Sequence, residues 1–373
     1  MGETAVSTQI PPVLTLDRRF LIQITDADEE IFCLYSKLAG SVRATSSESS
    51  NAIGGRSSGS GLGFFDSSSS ALTVELKINP SSQTQLESIS HGIFNAVSGT
   101  KKGRSQKSRL KQRPPQQTRT ITAKLHQDLF AVNHRKGDTG SLVWWASIDF
   151  AEFLWYDLLH PMIVAADRSS TSLLDMRLFG SSLRILELGA GTGALATLCN
   201  DMFPDQSTTS WTVSDQAILL PAIARNFTLN GLDYVGGLDR PTRYQIEEMD
   251  WISIEKDWLK AHSKIQSANS SKSEADYELI LAIDCLYNES LILPLLRTFD
   301  HLSTPFSSTG APATLVLIVS QLRSDEVMRL FVESWIALPS WKIYRVDEEG
   351  LRADLKLNLA DPRYVVWCGW KVE

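Results

Sequence analysis

From Gly140 onward, the hydrophobic pattern alternates between two repeats. Short runs dense in Val, Ile and Leu give way to stretches with apolar residues three and four apart, which predicts strands interleaved with helices. SLVWWASIDFAEFLWYDLLHPMI (Ser141–Ile163) is apolar at helical spacing and long enough for a buried helix. SLRILELGAGTGALATLCNDMF reads as strand, glycine turn and helix, and WTVSDQ as a strand ending in an acid. AILLPAIARNFTLNGL reads as a helix stopped at Asn230-Gly231. YELILAIDCLY, TLVLIVSQLR, WKIYRV and YVVWCGW read as further strands, with SLILPLLRTFDHL and DEVMRLFVESWIAL as helices among them. This succession predicts an α/β fold: a doubly wound, mostly parallel sheet covered by helices on both faces.

The N-terminal third follows another pattern. RFLIQIT (Arg19–Thr25) and EIFCLYS (Glu30–Ser36) flank the acidic turn Asp26-Ala27-Asp28-Glu29 and predict a hairpin, and ALTVELKI (Ala71–Ile78) alternates as a strand does. Residues 41–70 hold twelve Ser and five Gly, a composition that cannot bury a core and predicts a floppy loop. Residues 97–120 form a second low-complexity stretch, this one basic. The expected organisation is a small N-terminal β extension over residues 1–130, broken by these two disordered inserts, then the main domain over 131–373.

With 43% hydrophobic residues in 373, a fully disordered chain is excluded. No apolar run reaches the roughly 18 residues of a membrane span. The first twenty residues lack a basic region followed by an apolar core, so no secretory signal is expected. Cys33, Cys199, Cys285 and Cys368 form no CxxC pair and read as reduced thiols of a cytosolic or nuclear protein. The six histidines show no metal-ligand spacing, and neither a GxSxG nor a Walker turn occurs.

Charge is unevenly spread. Nine basic residues and no acidic one lie between Lys101 and Lys124, so a net charge of −7 leaves the rest of the chain at −16. An acidic body suits a basic protein partner, and the basic segment suits RNA or another polyanion. A solvated, flexible insert is the favoured reading of that segment.

The sharpest local signal is Leu186-Glu187-Leu188-Gly189-Ala190-Gly191-Thr192-Gly193. Glycines allow positive φ and bring backbone against a ligand at a strand's carboxyl end. The spacing is GxGxG, not the GxGxxG of dinucleotide sites, and Glu187 precedes it. A carboxylate there repels pyrophosphate and favours a cationic ligand such as S-adenosylmethionine, which carries an ammonium and a sulfonium. Asp215 ends the next strand 22 residues past Gly193, the placement of an acid that accepts hydrogen bonds from ribose hydroxyls. An N-cap for the following helix is its alternative role.

These residues resemble the seven-strand S-adenosylmethionine-dependent methyltransferases (class I, Rossmann-like), and more narrowly the protein-lysine methyltransferases marked by a DxxY motif after the fourth strand. Four segments carry the resemblance: TGSLVW ending at Trp144, LELGAGTG with Asp215, Glu248-Met249-Asp250-Trp251, and Asp284-Cys285-Leu286-Tyr287. The continuation Asn288-Glu289 is most similar to the ribosomal lysine methyltransferases of fungi. The resemblance spans roughly residues 132–373. It implies cofactor contacts at Trp144, Gly189, Ala190, Gly191, Asp215, Trp251 and Ile283, beside the glycine-turn residues Glu187 and Gly193. Ile283 stands where many relatives carry Ala, and Trp145 follows Trp144 so closely that either indole could face the cofactor.

The implied reaction is displacement of the sulfonium methyl by a neutral lysine amine. The amine must lose a proton held with a pKa of about 10.4 and come within about 3–3.5 Å of the methyl carbon. Asp284 would orient the incoming group and Tyr287 would hydrogen-bond to it and exclude water; positioning, not strong general-base action, is the role expected of Asp284. Trp251 would stack on adenine, and aromatic faces would add ~0.5–2 kcal/mol to sulfonium binding. The implied substrate is a lysine on a protein of the large ribosomal subunit, methylated in the cytoplasm by a monomer. A nucleic-acid or small-molecule methyltransferase is disfavoured by DCLY in place of an NPPY-type signature. A non-catalytic adaptor on the same fold is the alternative from another class.

Overall fold

The computed structural model describes residues 10–47, 63–66, 68–79, 118–134, 139–163, 170–204, 206–235, 243–263, 277–306 and 312–372. Most of the two low-complexity stretches lies outside these residues. The described chain begins with β1 (Leu21–Gln23), α1 (Ala27–Ser47), β2 (Ala71–Ile78), β3 (Arg119–His126), α2 (Leu129–His134) and α3 (Trp145–Leu159). β4 (Met162–Ile163), β5 (Ser170–Thr171), α4 (Met176–Phe179), β6 (Arg184–Leu188), α5 (Ala194–Cys199), β7 (Ser210–Asp215) and α6 (Leu220–Leu229) follow. Next come β8 (Tyr234–Val235), β9 (Tyr244–Glu248), α7 (Trp251–Ser263), β10 (Leu279–Ile283) and α8 (Glu289–Leu302). The chain closes through β11 (Leu315–Gln321), α9 (Asp325–Ile336), β12 (Trp341–Val346) and β13 (Tyr364–Lys371).

The central sheet has nine strands, ordered β1-β12-β13-β11-β10-β6-β7-β9-β8. Its seven middle strands, β12 to β9, are the sheet the sequence leads one to expect. β13 runs antiparallel between β11 and β12, while β11, β10, β6, β7 and β9 are parallel neighbours. The two extra strands, β1 with three residues and β8 with two, are too short to carry a period and add on at the edges, where unpaired N–H and C=O groups would otherwise stand open.

The sheet is buried on both faces. Along β10, Leu279, Leu281 and Ile283 pack into one core, with residues of α3, α5 and α6, while Ile280 and Ala282 pack into the other, with residues of α1, α8 and α9. Successive side chains of a strand point to opposite faces, so a run as apolar as LILAI fits this position. Strand order reverses at β6: β7 and β9 continue to one side, β10 and β11 to the other. The loops leaving β6 and β10 therefore part there and open a crevice at the strands' carboxyl ends.

The expected hairpin over Arg19–Ser36 does not form. β1 pairs antiparallel with β12, and the chain then enters α1. Asp26 accepts a hydrogen bond from the Glu29 N–H (3.0 Å), as an N-cap does, and Asp28, Glu29 and Glu30 occupy the first helical turn, where carboxylates offset the helix dipole. The acids read as a turn are thus a helix start. α1 runs to Ser47, so the Ser/Gly-rich stretch expected as loop from residue 41 begins as helix.

The strand expected at Ala71–Ile78 does form, and its partner β3 was not anticipated. β2 and β3 pair antiparallel over eight residues each, with alternate side chains buried. On the open edge of β3, the side-chain amides of Asn226 in α6 and of Asn230, which caps its C-terminus, stand in for a further strand. They accept from the N–H groups of His126 (2.7 Å) and Lys124 (2.9 Å) and donate to the carbonyls of the same residues. Arg119, the first β3 residue, stacks its guanidinium over Trp155 at 4.3 Å. Two cations assigned to the basic stretch, Arg119 and Lys124, therefore belong to a packed strand.

Glu30 anchors α1 in the body. Its carboxylate meets Arg345 of β12 at 3.0 Å and accepts from the Trp367 indole at 2.8 Å, with both ion-pair side chains under 10% exposed. Removing one member of such a pair strands a buried charge at a cost of about 3–5 kcal/mol. Glu30→Ala is therefore expected to lower the urea midpoint by that amount of stability, with the denaturant slope unchanged; a midpoint equal to wild type would contradict the anchor.

Candidate active site

A cleft of about 440 Å³ opens at the crevice between β6 and β10. Its floor is the glycine turn. Gly189, Gly191 and Gly193 adopt φ of 66°, 58° and 71°, values at which a side chain is strained. Space matters as much as angle: a Cβ on Gly191 would lie 2.8 Å from the Gly140 carbonyl oxygen, and one on Gly189 would lie 2.8 Å from Cys285 Sγ and 3.2 Å from the Trp251 ring.

Hydrogen bonds hold the turn against the neighbouring strand. Ala190 N–H donates to Ser214 O (3.0 Å), and Gly191 N–H donates to one carboxylate oxygen of Asp215 (2.7 Å). The other Asp215 oxygen accepts from Gln216 N–H (2.7 Å). Asp215 also lines the cleft. Met249 N–H donates to Asp215 O (3.0 Å), and Asp250 caps α7 through Ile252 N–H (3.1 Å). These bonds set Trp251, the first residue of α7, beside the turn.

Trp144, Gly189, Ala190, Gly191, Asp215, Trp251, Ile283, Asp284 and Tyr287 all line this one cleft. Of the paired indoles, Trp144 faces the cleft and Trp145 packs on Phe65 with ring centroids 4.6 Å apart. Two expected residues are not on its surface. Gly193 N-caps α5, and a Cβ there would meet Ile223 and Phe227 at 3.1 and 3.2 Å, so its bareness serves packing. Glu187 is 2% exposed and lies beneath the turn, where its charge bears on Cys199 and Tyr244. The anionic rim expected at Glu187 is absent for a simple reason: the residue belongs to a strand buried on both faces. Burial, with the charge of Asp215 adding, pushes its pKa up to about 8. The acids that do reach the cleft are Asp215, Asp250 and Asp284.

Asp284 follows β10 at φ 60°, one of three described non-glycine residues at positive φ. Asp tolerates this region better than most residues, and such conformations concentrate at functional sites. Its N–H donates to Val319 O (2.6 Å). Its side chain is 3% exposed and forms a bidentate pair with Arg323, at 2.7 and 2.6 Å, with Gln321 N–H adding a bond at 3.1 Å. Tyr287, by contrast, is 43% exposed at the mouth. Asn288 lines the cleft and also N-caps α8 through Ser290 N–H (3.0 Å).

Several contributors escaped the sequence reading. Arg323 has no local signature; its partner stands 39 residues away. Gly63-Phe64-Phe65, within the Ser/Gly-rich stretch, adds a backbone bond to Trp145 N–H (3.0 Å) and a ring against Trp144 (4.4 Å between centroids). The apolar pair in an otherwise polar stretch was the available sign. Gln127, 1% exposed, binds Val143 N–H (3.0 Å) and donates to Ser69 O (2.6 Å), joining the hairpin to the segment that carries Trp144.

A mostly parallel sheet with a glycine turn and an acid at its switch point is the layout of an α/β enzyme that binds a nucleoside-bearing cofactor, and the family match makes it a methyltransferase. The chain belongs to the lysine methyltransferase family, whose model matches residues 124–333. It is 24% identical to the Kluyveromyces lactis ribosomal lysine N-methyltransferase 5 over 249 residues, 62% of this chain and 76% of that one. It is 25% identical to the Zygosaccharomyces rouxii protein of that name over 213 residues, 52% and 63% of the two chains. The Lachancea thermotolerans protein of that name is 28% identical over 166 residues, 40% and 46%. The cofactor is S-adenosylmethionine, and the cleft suits it: a bare backbone floor, a carboxylate at its edge and two indoles at the walls.

Ionisation of Glu187 gives a pH dependence with a definite sign. A carboxyl raised on folding contributes fully below its ordinary pKa of 4.5 and loses that contribution as pH climbs toward about 8. Glu187→Gln cannot ionise, so its Tm relative to wild type is expected to rise across that range. A constant difference in thermal melts would contradict a buried, titrating Glu187.

Proposed function

We propose that the protein transfers a methyl group to a lysine on a protein of the large ribosomal subunit, as a monomer in the cytoplasm. The observation that supports this reading is the placement of Asp284 and Tyr287 in the cleft that also contains the glycine turn, Asp215 and Trp251. S-adenosylmethionine, when bound, supplies a methyl group made electrophilic by its sulfonium.

The chain's own residues do the rest. The turn from Gly189 to Gly191 supplies close backbone contact, Asp215 accepts from ribose hydroxyls, and Trp251 stacks on adenine. Trp144 and Ile283 close the walls. Asp284 accepts a hydrogen bond from the lysine amine, and Tyr287, exposed at the mouth, covers the amine and keeps water from it. A single lysine side chain can reach such a site, whereas a base in a duplex must first be flipped out. The relatives named for ribosomal lysine methylation favour a ribosomal target.

The basic run is the second contact we propose, through ribosomal RNA. Arg119 and Lys124 lie within β3, which leaves seven cations from Lys101 to Arg113 for this role.

Two outcomes follow. Purified protein with tritiated S-adenosylmethionine should label a lysine in a large-subunit fraction, and Asp284→Asn should cut the rate by about 10²-fold, the order expected for lost positioning. Affinity for uncharged S-adenosylhomocysteine should stay within about threefold by calorimetry, since the lost interaction is not uniform binding. Full-rate labelling by that variant would remove Asp284 from its role. Deleting residues 101–113 should weaken ribosome binding and flatten its dependence on salt; an unchanged slope would leave the segment passive.

A further inference from the structure

A negative residue at the acceptor end of this cleft poses a problem. A carboxylate within about 4–6 Å of an amine favours the ammonium and raises its pKa by about 1–3 units, away from the neutral form that attacks. Asp284 lines that end of the cleft, yet its charge is already matched. Both of its oxygens face the guanidinium of Arg323, at 2.7 and 2.6 Å, in the fork geometry that makes such pairs strong. Arg323 is not itself a cleft-lining residue.

The guanidinium is fixed by more than Asp284. It donates to Gln321 Oε1 (3.0 Å) and lies over the Trp144 ring, 5.0 Å from the centroid. The Gly63 backbone presses close: a Cβ there would sit 2.8 Å from Arg323 Nη2 and collide with Gln321 Oε1. Asp284, Gln321, Trp144 and Gly63 come from four separate stretches of chain, and each restricts this one side chain. A surface ion pair formed by chance would have no such enclosure.

We infer that Arg323 is a positioning residue that neutralises Asp284, so that the acceptor end offers a hydrogen-bond acceptor without net charge and takes a neutral amine in preference to an ammonium. The inference rests on the reading of Asp284 and Tyr287 as the amine site. Other charged or titratable groups lining this cleft are Asp215, Asp250, Cys285 and Tyr287. Burial pushes the Cys285 thiol well above its ordinary range, so it contributes no charge. Asp215 is already bonded by two backbone N–H groups. Arg323 is the cation that the structure pairs with Asp284.

The test uses the full chain and two cofactor analogues. Sinefungin carries a primary amine where the transferred methyl would be, and S-adenosylhomocysteine carries nothing there. Their affinities are measured by calorimetry from pH 6 to 10, and the ratio reports how the site treats a cation. Arg323→Met should raise the sinefungin preference about tenfold at neutral pH and move its pH dependence up by about one unit. Asp284→Asn leaves the guanidinium unmatched and should move both in the opposite direction. Arg323→Lys should stay within about threefold of wild type.

Opposite shifts support the assignment, because a merely structural role would move both variants alike. An unchanged ratio in Arg323→Met, or shifts of the same sign in Arg323→Met and Asp284→Asn, would overturn it. Should Arg323→Met fail to fold, the fall expected of Asp284→Asn and the near-wild-type ratio of Arg323→Lys decide the matter. Opposite shifts in a protein that labels no lysine would count against the function proposed above and not against Arg323.

Discussion

At the cleft floor two backbones touch where no side chain fits. Gly191 faces the carbonyl of Gly140 so closely that a Cβ would stand 2.8 Å from its oxygen. That contact lets the segment leading into α3 cross the glycine turn, which in turn puts Trp144 on the cleft wall. Asp215 fastens the turn from β7, and Asn226 fastens it from α6 by donating to Thr192 O at 2.9 Å while also pairing with the edge of β3. The β2–β3 hairpin, α6 and the turn are thus one hydrogen-bonded assembly, and the cleft's shape depends on the hairpin as well as on the sheet.

Electrostatics in the cleft divides between two ends. Near β6 and β7, Asp215 holds the glycine turn through Gly191 N–H and lines the cleft beside it. Near β10, Asp284 is matched by Arg323. Glu187, buried under the turn with its pKa up near 8, adds little charge at neutral pH. Cation recognition therefore does not come from a ring of free carboxylates. It comes from a small number of fixed acceptors and aromatic walls, an arrangement that preorganises binding without strongly favouring the protonated form of an incoming lysine.

Much of this was legible in the sequence because it rests on local signals. LILAI can be little else than a strand between two helical layers, and LELGAGTG followed by a helix declares its turn. The N-terminal helix was misread for a physical reason: short apolar runs fit either period. Ile31 and Leu34, three apart, are buried, whereas Phe32 is 73% exposed, a helical pattern that only the cap at Asp26 foretold. Glu187 was placed on the rim because proximity in sequence to the turn is not proximity to its open side. Arg323 was invisible because its meaning lies in Asp284, Trp144 and Gly63, residues brought together only by the sheet's crossover.

In the proposed reaction a single crevice holds the methyl donor at the glycine turn and the amine-positioning pair at its far end. A crystal structure with S-adenosylhomocysteine tests this most directly. Adenine is expected against Trp251, ribose hydroxyls on Asp215 and the sulfur directed toward Asp284 and Tyr287, with the Arg323 pair intact. A ligand seated elsewhere, or one whose sulfur points away from Asp284, would contradict it.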